Sequence, residues 1–181
     1  MTETKETGLL VEGMKSYPKA LGALNEFGRL VVSTIREVVI EDLDDLSTAM
    51  GVNLPDDDVS GYVRPNRLAN SNPKDAVLGA VIDRIGTLGW GLYFYLCWSK
   101  GQPKLCVCIW LKDSNIALSI ITAFKKLSSA IPVELDAGHE VYISQVIAPD
   151  DADQLPVVLR KLDREFSELW KKAGGLGKFL K

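Results

Sequence analysis

Hydrophobic residues recur every three or four positions between residues 16 and 50, the period of a helix with one buried face. We expect this helix to begin with Ser16 as its N-cap and Pro18 in its first turn. The acidic run at residues 41–45 could divide the segment into two helices, because aspartate favours helix N-termini over interiors. Residues 1–15 are polar, and we expect a flexible N-terminal tail there.

The middle of the chain follows a different pattern. Residues 90–98 are rich in aromatic side chains and predict a strand, and residues 105–111 predict a second strand joined to it as a hairpin. The apolar run at residues 76–85 predicts a further strand before them. No periodicity is found between residues 52 and 75, which predicts a long irregular segment of the kind that is usually functional or mobile.

The last third of the chain predicts a helix capped by Asp113, a second hairpin over residues 132–147, and a final helix from Leu155. The resulting order is α-βββ-α-ββ-α. It predicts an α+β fold with a mainly antiparallel sheet of about five strands and three or four helices. We expect residues 16–181 to form a single domain.

Composition excludes some classes of protein and disfavours others. The net charge of −3 disfavours a nucleic acid partner, since phosphate backbones attract basic proteins. No apolar run approaches the roughly 20 residues that span a bilayer, and the polar start lacks the apolar core of a signal peptide. We therefore expect a cytoplasmic protein without a membrane partner. Its three cysteines are then expected to be reduced thiols.

All three cysteines lie in the predicted 90–111 hairpin, where strand alternation assigns side chains to two faces. One face carries all the aliphatic residues of the hairpin together with Trp90, Phe94 and Trp98. The other face carries Tyr93, Tyr95, Cys97, Cys106, Cys108 and Trp110. We expect the hairpin register to pair Cys97 with Cys106.

Four interpretations of the thiols compete. A zinc site with His139 requires sulfurs closer together than an extended strand places Cys106 and Cys108. A disulfide between Cys97 and Cys106 is disfavoured by a reducing cytosol, and a cysteine nucleophile lacks a neighbouring base. Packing is the favoured interpretation, because free cysteine is among the most buried residue types. No cofactor and no metal are expected.

Other polar clusters are weaker candidates. Tyr62, Arg64 and Arg67 could bind an anionic group or an acidic patch of a partner, or the arginines could pair with the acidic run at residues 56–58. Carboxylates at three- to four-residue spacing on the first helix could bind a metal, although a solvated acidic face is commoner. They are Glu37, Glu41, Asp44 and Asp45. His139 could act as a general base, but no nucleophile is arranged around it in the sequence.

The element order over residues 76–173 is similar to that of type III secretion chaperones and the related YbjN-like domains. The similarity rests on the 105–111 strand leading into the helix at Asn115, on the 133–136 and 141–147 strands, and on the closing helix. It implies a small acidic dimer that binds another polypeptide along exposed sheet and helix surfaces. At this level the resemblance assigns no binding residues.

Our leading hypothesis is a non-enzymatic, dimeric protein-binding module, adaptor or chaperone-like. We expect the face with Tyr93, Tyr95 and Trp110 to form a homodimer interface, since aromatic residues are enriched at interfaces. The partners expected are therefore a second copy and another polypeptide.

Two alternatives from other classes remain open. The helix–three strands–helix–strand order also resembles the core of PD-(D/E)xK nucleases, which need an acidic residue before a strand lysine to hold magnesium. Here Trp110 occupies that position ahead of Lys112, and Asp83 alone cannot hold the metal. The second alternative is a small-molecule sensor whose pocket is lined by Trp90, Tyr93 and Trp110.

Overall fold

The structure, a computed structural model, describes residues 2–63, 77–99, 102–127 and 131–180. Four helices and six strands are found in these segments, with short 3-10 turns between some of them. In chain order they are α1 (Thr2–Met50), β1 (Val59–Val63), β2 (Val77–Arg84), α2 (Ile85–Leu88), β3 (Trp90–Ser99), β4 (Gln102–Leu111), α3 (Ser114–Lys126), β5 (Val133–Asp136), β6 (Glu140–Val146) and α4 (Leu155–Ala173).

The strands form one antiparallel sheet in the order β1-β2-β3-β4-β6-β5. The predicted α+β class with an antiparallel sheet is confirmed. The described sheet has one strand more than expected, because β1 lies inside the 52–75 segment that was predicted to be irregular. That prediction was wrong for residues 59–63, while residues 64–75 lie outside the described part of the chain.

The three long helices pack against one face of the sheet, and their apolar side chains merge with it into a single buried cluster. The sheet contributes alternate positions of β2, β3, β4 and β6, such as Leu92 and Val107, both fully buried. α4 supplies Trp170, whose ring makes edge contacts with Phe124 of α3 at 4.8 Å between centroids. Burial of such aromatic side chains is a main source of core stability.

The first helix differs from its prediction at both points where a boundary was expected. α1 already runs through residues 2–15, so the predicted helix start at Ser16 is wrong: the hydroxyl of Ser16 donates to the carbonyl of Glu12 inside the helix at 2.6 Å. Pro18 lies within the helix instead of in its first turn. The helix also continues through the acidic run at residues 41–45 without a break.

The start of α3 and the end of α4 agree with the sequence. Asp113 caps α3, since its carboxylate accepts a hydrogen bond from the backbone N–H of Asn115 at 2.8 Å. α4 ends at Gly174, which adopts the left-handed conformation typical of a glycine cap. No helix in the described segments is long and apolar enough to cross a membrane.

Candidate interaction face of the sheet

The second face of the sheet carries the side chains that strand alternation had separated from the core. The predicted assignment of faces is confirmed, but the predicted register is wrong by two residues. Cys97 lies opposite Lys104, and Cys106 lies opposite Tyr95. The reason is a shorter turn: Ser99 pairs with Gln102, so Pro103 belongs to β4 instead of to the turn.

We call this surface the aromatic–thiol face. None of the three long helices packs on it, because their buried residues all join the cluster on the opposite face. Four strands contribute to it, and the register of the sheet brings its aromatic and sulfur side chains side by side. Its members are Tyr62, Tyr93, Tyr95, Cys97, Cys106, Cys108, Trp110 and Tyr142.

Glycine makes room for the aromatic rings at one side of this face. Tyr62 and Tyr95 lie on either side of Gly79 in neighbouring strands. The ring of Tyr62 makes an edge contact with the ring of Tyr93 at 5.5 Å between centroids. Tyr93 in turn leans over Gly91, where an added Cβ would lie 3.1 Å from its Cε2 atom. Two aromatic residues that are 31 positions apart in sequence thus form one surface.

Trp110 occupies the far end of the face, next to the β5–β6 turn. Its ring stacks on the ring of His139, with 5.6 Å between centroids and 21° between the planes. The imidazole is fixed by a hydrogen bond from Nδ1 to the carbonyl of Leu111 at 2.8 Å. His139 therefore acts as a support for Trp110 in this structure, and the described residues place no hydroxyl or thiol nucleophile against its ring.

Tyr142 of β6 completes the face, although the sequence analysis did not select it. The ammonium of Lys104 lies 5.1 Å from the centre of its ring. Its hydroxyl donates a hydrogen bond to Glu134 at 3.0 Å, and Lys104 also pairs with Glu134 at 3.7 Å. Strand alternation could have identified it, because Tyr142 lies between the buried Val141 and Ile143 and therefore points to the opposite face of the sheet.

The thiols form the centre of the face. The sulfur atoms of Cys97 and Cys106 lie 3.9 Å apart on a diagonal between β3 and β4. A hydrogen bond from Cys106, together with the nearby charge of Lys104, lowers the pKa of the Cys97 thiol. The same hydrogen bond and burial raise the pKa of Cys106, and burial raises that of Cys108. Burial likewise raises the pKa of the Tyr95 hydroxyl far above its ordinary value.

The predicted Tyr62–Arg67 cluster is only partly described. Tyr62 belongs to β1 and to the aromatic–thiol face, whereas Arg64 and Arg67 lie outside the described residues. Within the acidic run, Asp58 forms an ion pair with Arg84 of β2. This pair ties the start of β1 to the end of β2.

The pocket expected for a sensor does not form. Trp90 is buried in the helix-covered core, on the opposite side of the sheet from Tyr93 and Trp110. Asp83, the acid considered for a nuclease site, accepts a hydrogen bond from the backbone N–H of Ile85 at the sheet margin. Within the described ranges, no group of three or more histidine, cysteine or acidic side chains could hold a metal ion.

The acidic run of α1 faces in two directions. Glu37, Asp44 and Asp45 are exposed, as a solvated acidic face requires. Asp42 instead points toward α4, where its Oδ1 atom lies 3.5 Å from Arg160. Asp163 of α4 is buried beside it, and this burial together with the charges of Asp42 and Asp45 raises the pKa of Asp163 to about 7.

No family model, curated protein or solved structure matches this chain.

Proposed function

We propose that this chain is a non-enzymatic protein-binding module of the cytoplasm, and that its aromatic–thiol face receives another polypeptide. The observation that carries the proposal is the row of aromatic side chains on a sheet face that none of the three long helices covers. Tyrosine and tryptophan are the residues most enriched in the energetic centres of interfaces.

The surroundings of the aromatic row resemble the anatomy of a binding surface. The aromatic centre is bordered by charged residues at the ends of its strands, namely Asp83, Lys104, Glu134, Asp136 and Glu140. An apolar centre with a polar rim is typical of protein interfaces. Since four of these five residues are acidic, we expect a partner segment with apolar and basic side chains. The element order that resembles secretion chaperones agrees with this choice.

The thiols favour binding over catalysis at this face. Cys106 and Cys108 are buried with raised pKa values, so neither supplies a thiolate nucleophile near neutral pH. Cys97 has a lowered pKa, but its neighbours within hydrogen-bond reach are another thiol and a backbone carbonyl, not a base. A nucleophilic mechanism requires a base in contact with the nucleophile.

The test is site-specific photocrosslinking in cells of the source organism. Benzoylphenylalanine in place of Tyr93 or Trp110 should yield one discrete adduct, whereas the same group in place of Leu118, an exposed residue of α3, should not. The purified partner should then bind Trp110→Ala at least about tenfold more weakly than wild type, and Leu118→Ala equally well. Adducts at Leu118 alone, or adducts from the sheet positions only to a second copy of this chain, would contradict the proposal.

A further inference from the structure

The N-terminal half of α1 extends beyond the sheet. Every residue from Val11 to Phe27 is exposed, and we call this segment the N-terminal arm. It is about 26 Å long at 1.5 Å per residue. Seven of the twelve large hydrophobic side chains that are exposed in the described part of the chain lie on it or directly after it. They are Val11, Met14, Tyr17, Leu21, Leu24, Phe27 and Leu30, with Met14 at 79% and Tyr17 at 65% exposure.

The arm is poorly suited to remain helical by itself. Gly13 and Gly22 each cost about 1 kcal/mol relative to alanine, and Pro18 removes a backbone hydrogen bond. Isolated helices of this length are marginal in water even when their residues are good helix formers. Most helical stability in proteins comes from packing of an apolar face, and the arm has such a face without a cover among the described residues. A stable arm therefore requires a partner.

The charges of the arm lie on the side away from its apolar face. At 100° per residue, Glu12, Lys15, Lys19 and Glu26 all fall opposite the stripe that contains Met14, Tyr17, Leu21 and Leu24. The residues that border the stripe are uncharged: Gly13, Pro18, Ala20 and Asn25. A face without charges can meet its own copy without like-charge repulsion, as a two-fold interface requires.

The sizes of the side chains also fit a second copy in antiparallel orientation. A pairing centred on Lys19 places Met14 opposite Leu24 of the second copy and Tyr17 opposite Leu21 of the second copy. By symmetry each pair occurs twice, which gives four apolar layers. At the border of the same pairing, Gly13 of the second copy lies within two residues of the level of Phe27 and on the same side, and its missing side chain leaves room for the ring. The large apolar side chains of the two copies thus form the four layers, and the ring of Phe27 is accommodated by a glycine.

A cavity lies at the base of the arm. This cavity has a volume of about 560 Å³, and its apolar lining includes Phe27, Leu30, Leu96, Trp98 and Ile147. The ring of Phe27 already contacts Trp98 at 6.3 Å between centroids, so the two surfaces are continuous.

From these observations we propose that two copies of this chain form an antiparallel dimer through their N-terminal arms. The dimer contact is made by α1, which packs on the opposite face of the sheet from the aromatic row. It therefore leaves the aromatic–thiol face accessible to a polypeptide. It is therefore independent of the proposed function.

The solution mass by light scattering tests the dimer directly. Wild type should have twice the 19.9 kDa mass of the chain, and Leu21→Glu should have the mass of the chain alone. Lys19→Glu is the matched control, since it introduces the same side chain two residues away on the charged side, and it should remain a dimer. Leu21 is exposed, so its substitution leaves the packed core intact. Loss of helical circular dichroism in Leu21→Glu, with an unchanged thermal transition of the core, should accompany dissociation.

Crosslinking tests the antiparallel arrangement. Benzoylphenylalanine in place of Leu24 should crosslink to the peptide that contains Met14, and a mixture of isotopically light and heavy chains should show that the link joins two copies. A wild-type mass of one chain at all concentrations would overturn the proposal. So would a dimer that Leu21→Glu leaves intact, or a crosslink from Leu24 to Leu24 of the second copy, which indicates parallel arms. Trp110→Ala should leave the mass unchanged, which separates this result from a failure of the proposed function.

Discussion

The sulfur atoms of Cys97 and Cys106 lie 3.9 Å apart, yet their thiols differ in acidity. Cys106 is buried and hydrogen-bonded to Cys97, which is half-buried and lies near the ammonium of Lys104. A lowered pKa increases the thiolate fraction at neutral pH, and thiolate is the reactive form. The pair therefore contains one reactive thiol and one protected thiol.

We predict that iodoacetamide modifies Cys97 first in the folded protein. Cys106 and Cys108 should react only after unfolding, because both are buried. Peptide mass spectrometry after timed alkylation measures the three rates separately. Lys104→Ala should slow the reaction of Cys97 at pH 7, since it removes a charge that lowers the pKa of this thiol. Lys112→Ala, an exposed lysine in the loop after β4, should not; equal rates for Cys97 and Cys106 would contradict the assignment.

Asp163 should make stability depend on pH. Its pKa is about 7 in the folded chain and about 3.9 when unfolded, so the folded state binds this proton more tightly. The contribution of Asp163 to the free energy of unfolding therefore falls as the pH rises from about 4 to about 7, and it is constant above pH 7. Asp163→Asn should raise the free energy of unfolding at pH 8 by on the order of 3 kcal/mol, and much less at pH 4.5.

Urea unfolding of wild type and Asp163→Asn at both pH values measures this difference. Other carboxylates are common to both proteins, so their contributions cancel in the comparison. Asp150→Asn is a suitable control, because Asp150 precedes α4 and is exposed. The same pH dependence in wild type and Asp163→Asn would show that Asp163 is ionised in the folded chain.

Gly79 should tolerate no side chain. An added Cβ would lie 1.9 Å from the carbonyl oxygen of Phe94 in the neighbouring strand, and backbone cannot move aside as a side chain can. We expect Gly79→Ala to lower the free energy of unfolding by at least about 3 kcal/mol. The matched substitution Gly22→Ala meets no atom within 4 Å and should raise it by up to about 1 kcal/mol. Urea unfolding of both variants checks the pair, and equal effects would rule out the steric explanation.

The sequence predicted most elements because their apolar periods are long. β1 was missed because it has only five residues and includes Gly61, which weakens an alternating pattern. The structure explains why a glycine occupies position 61, since an added Cβ would lie 2.9 Å from the side chain of Val32 on α1. Such a requirement comes from a distant helix and leaves no local signal. Ser16 and Pro18 gave a wrong helix start for the opposite reason: they are a local signal typical of helix starts, yet both lie within α1.

The candidate face was predictable in composition but not in detail. Alternation along β3 and β4 assigns each side chain to a face, and a register error of two residues keeps that assignment. Which residues touch depends on the register, so the contact of Tyr62 with Tyr93 could not be read from the sequence. The same limit applies to Tyr142, whose neighbours come from β4 and β5.

The packing of α1 against α4 has a consequence for biosynthesis. The sheet face that forms the core is covered jointly by the first helix and by the last, which spans Leu155–Ala173. A ribosome-bound chain that ends before Leu155 lacks part of this cover, and its apolar surface remains exposed to other chains. Productive folding must therefore finish after most of the chain has been synthesised. Premature termination anywhere before α4 should yield an aggregation-prone fragment instead of a smaller folded protein.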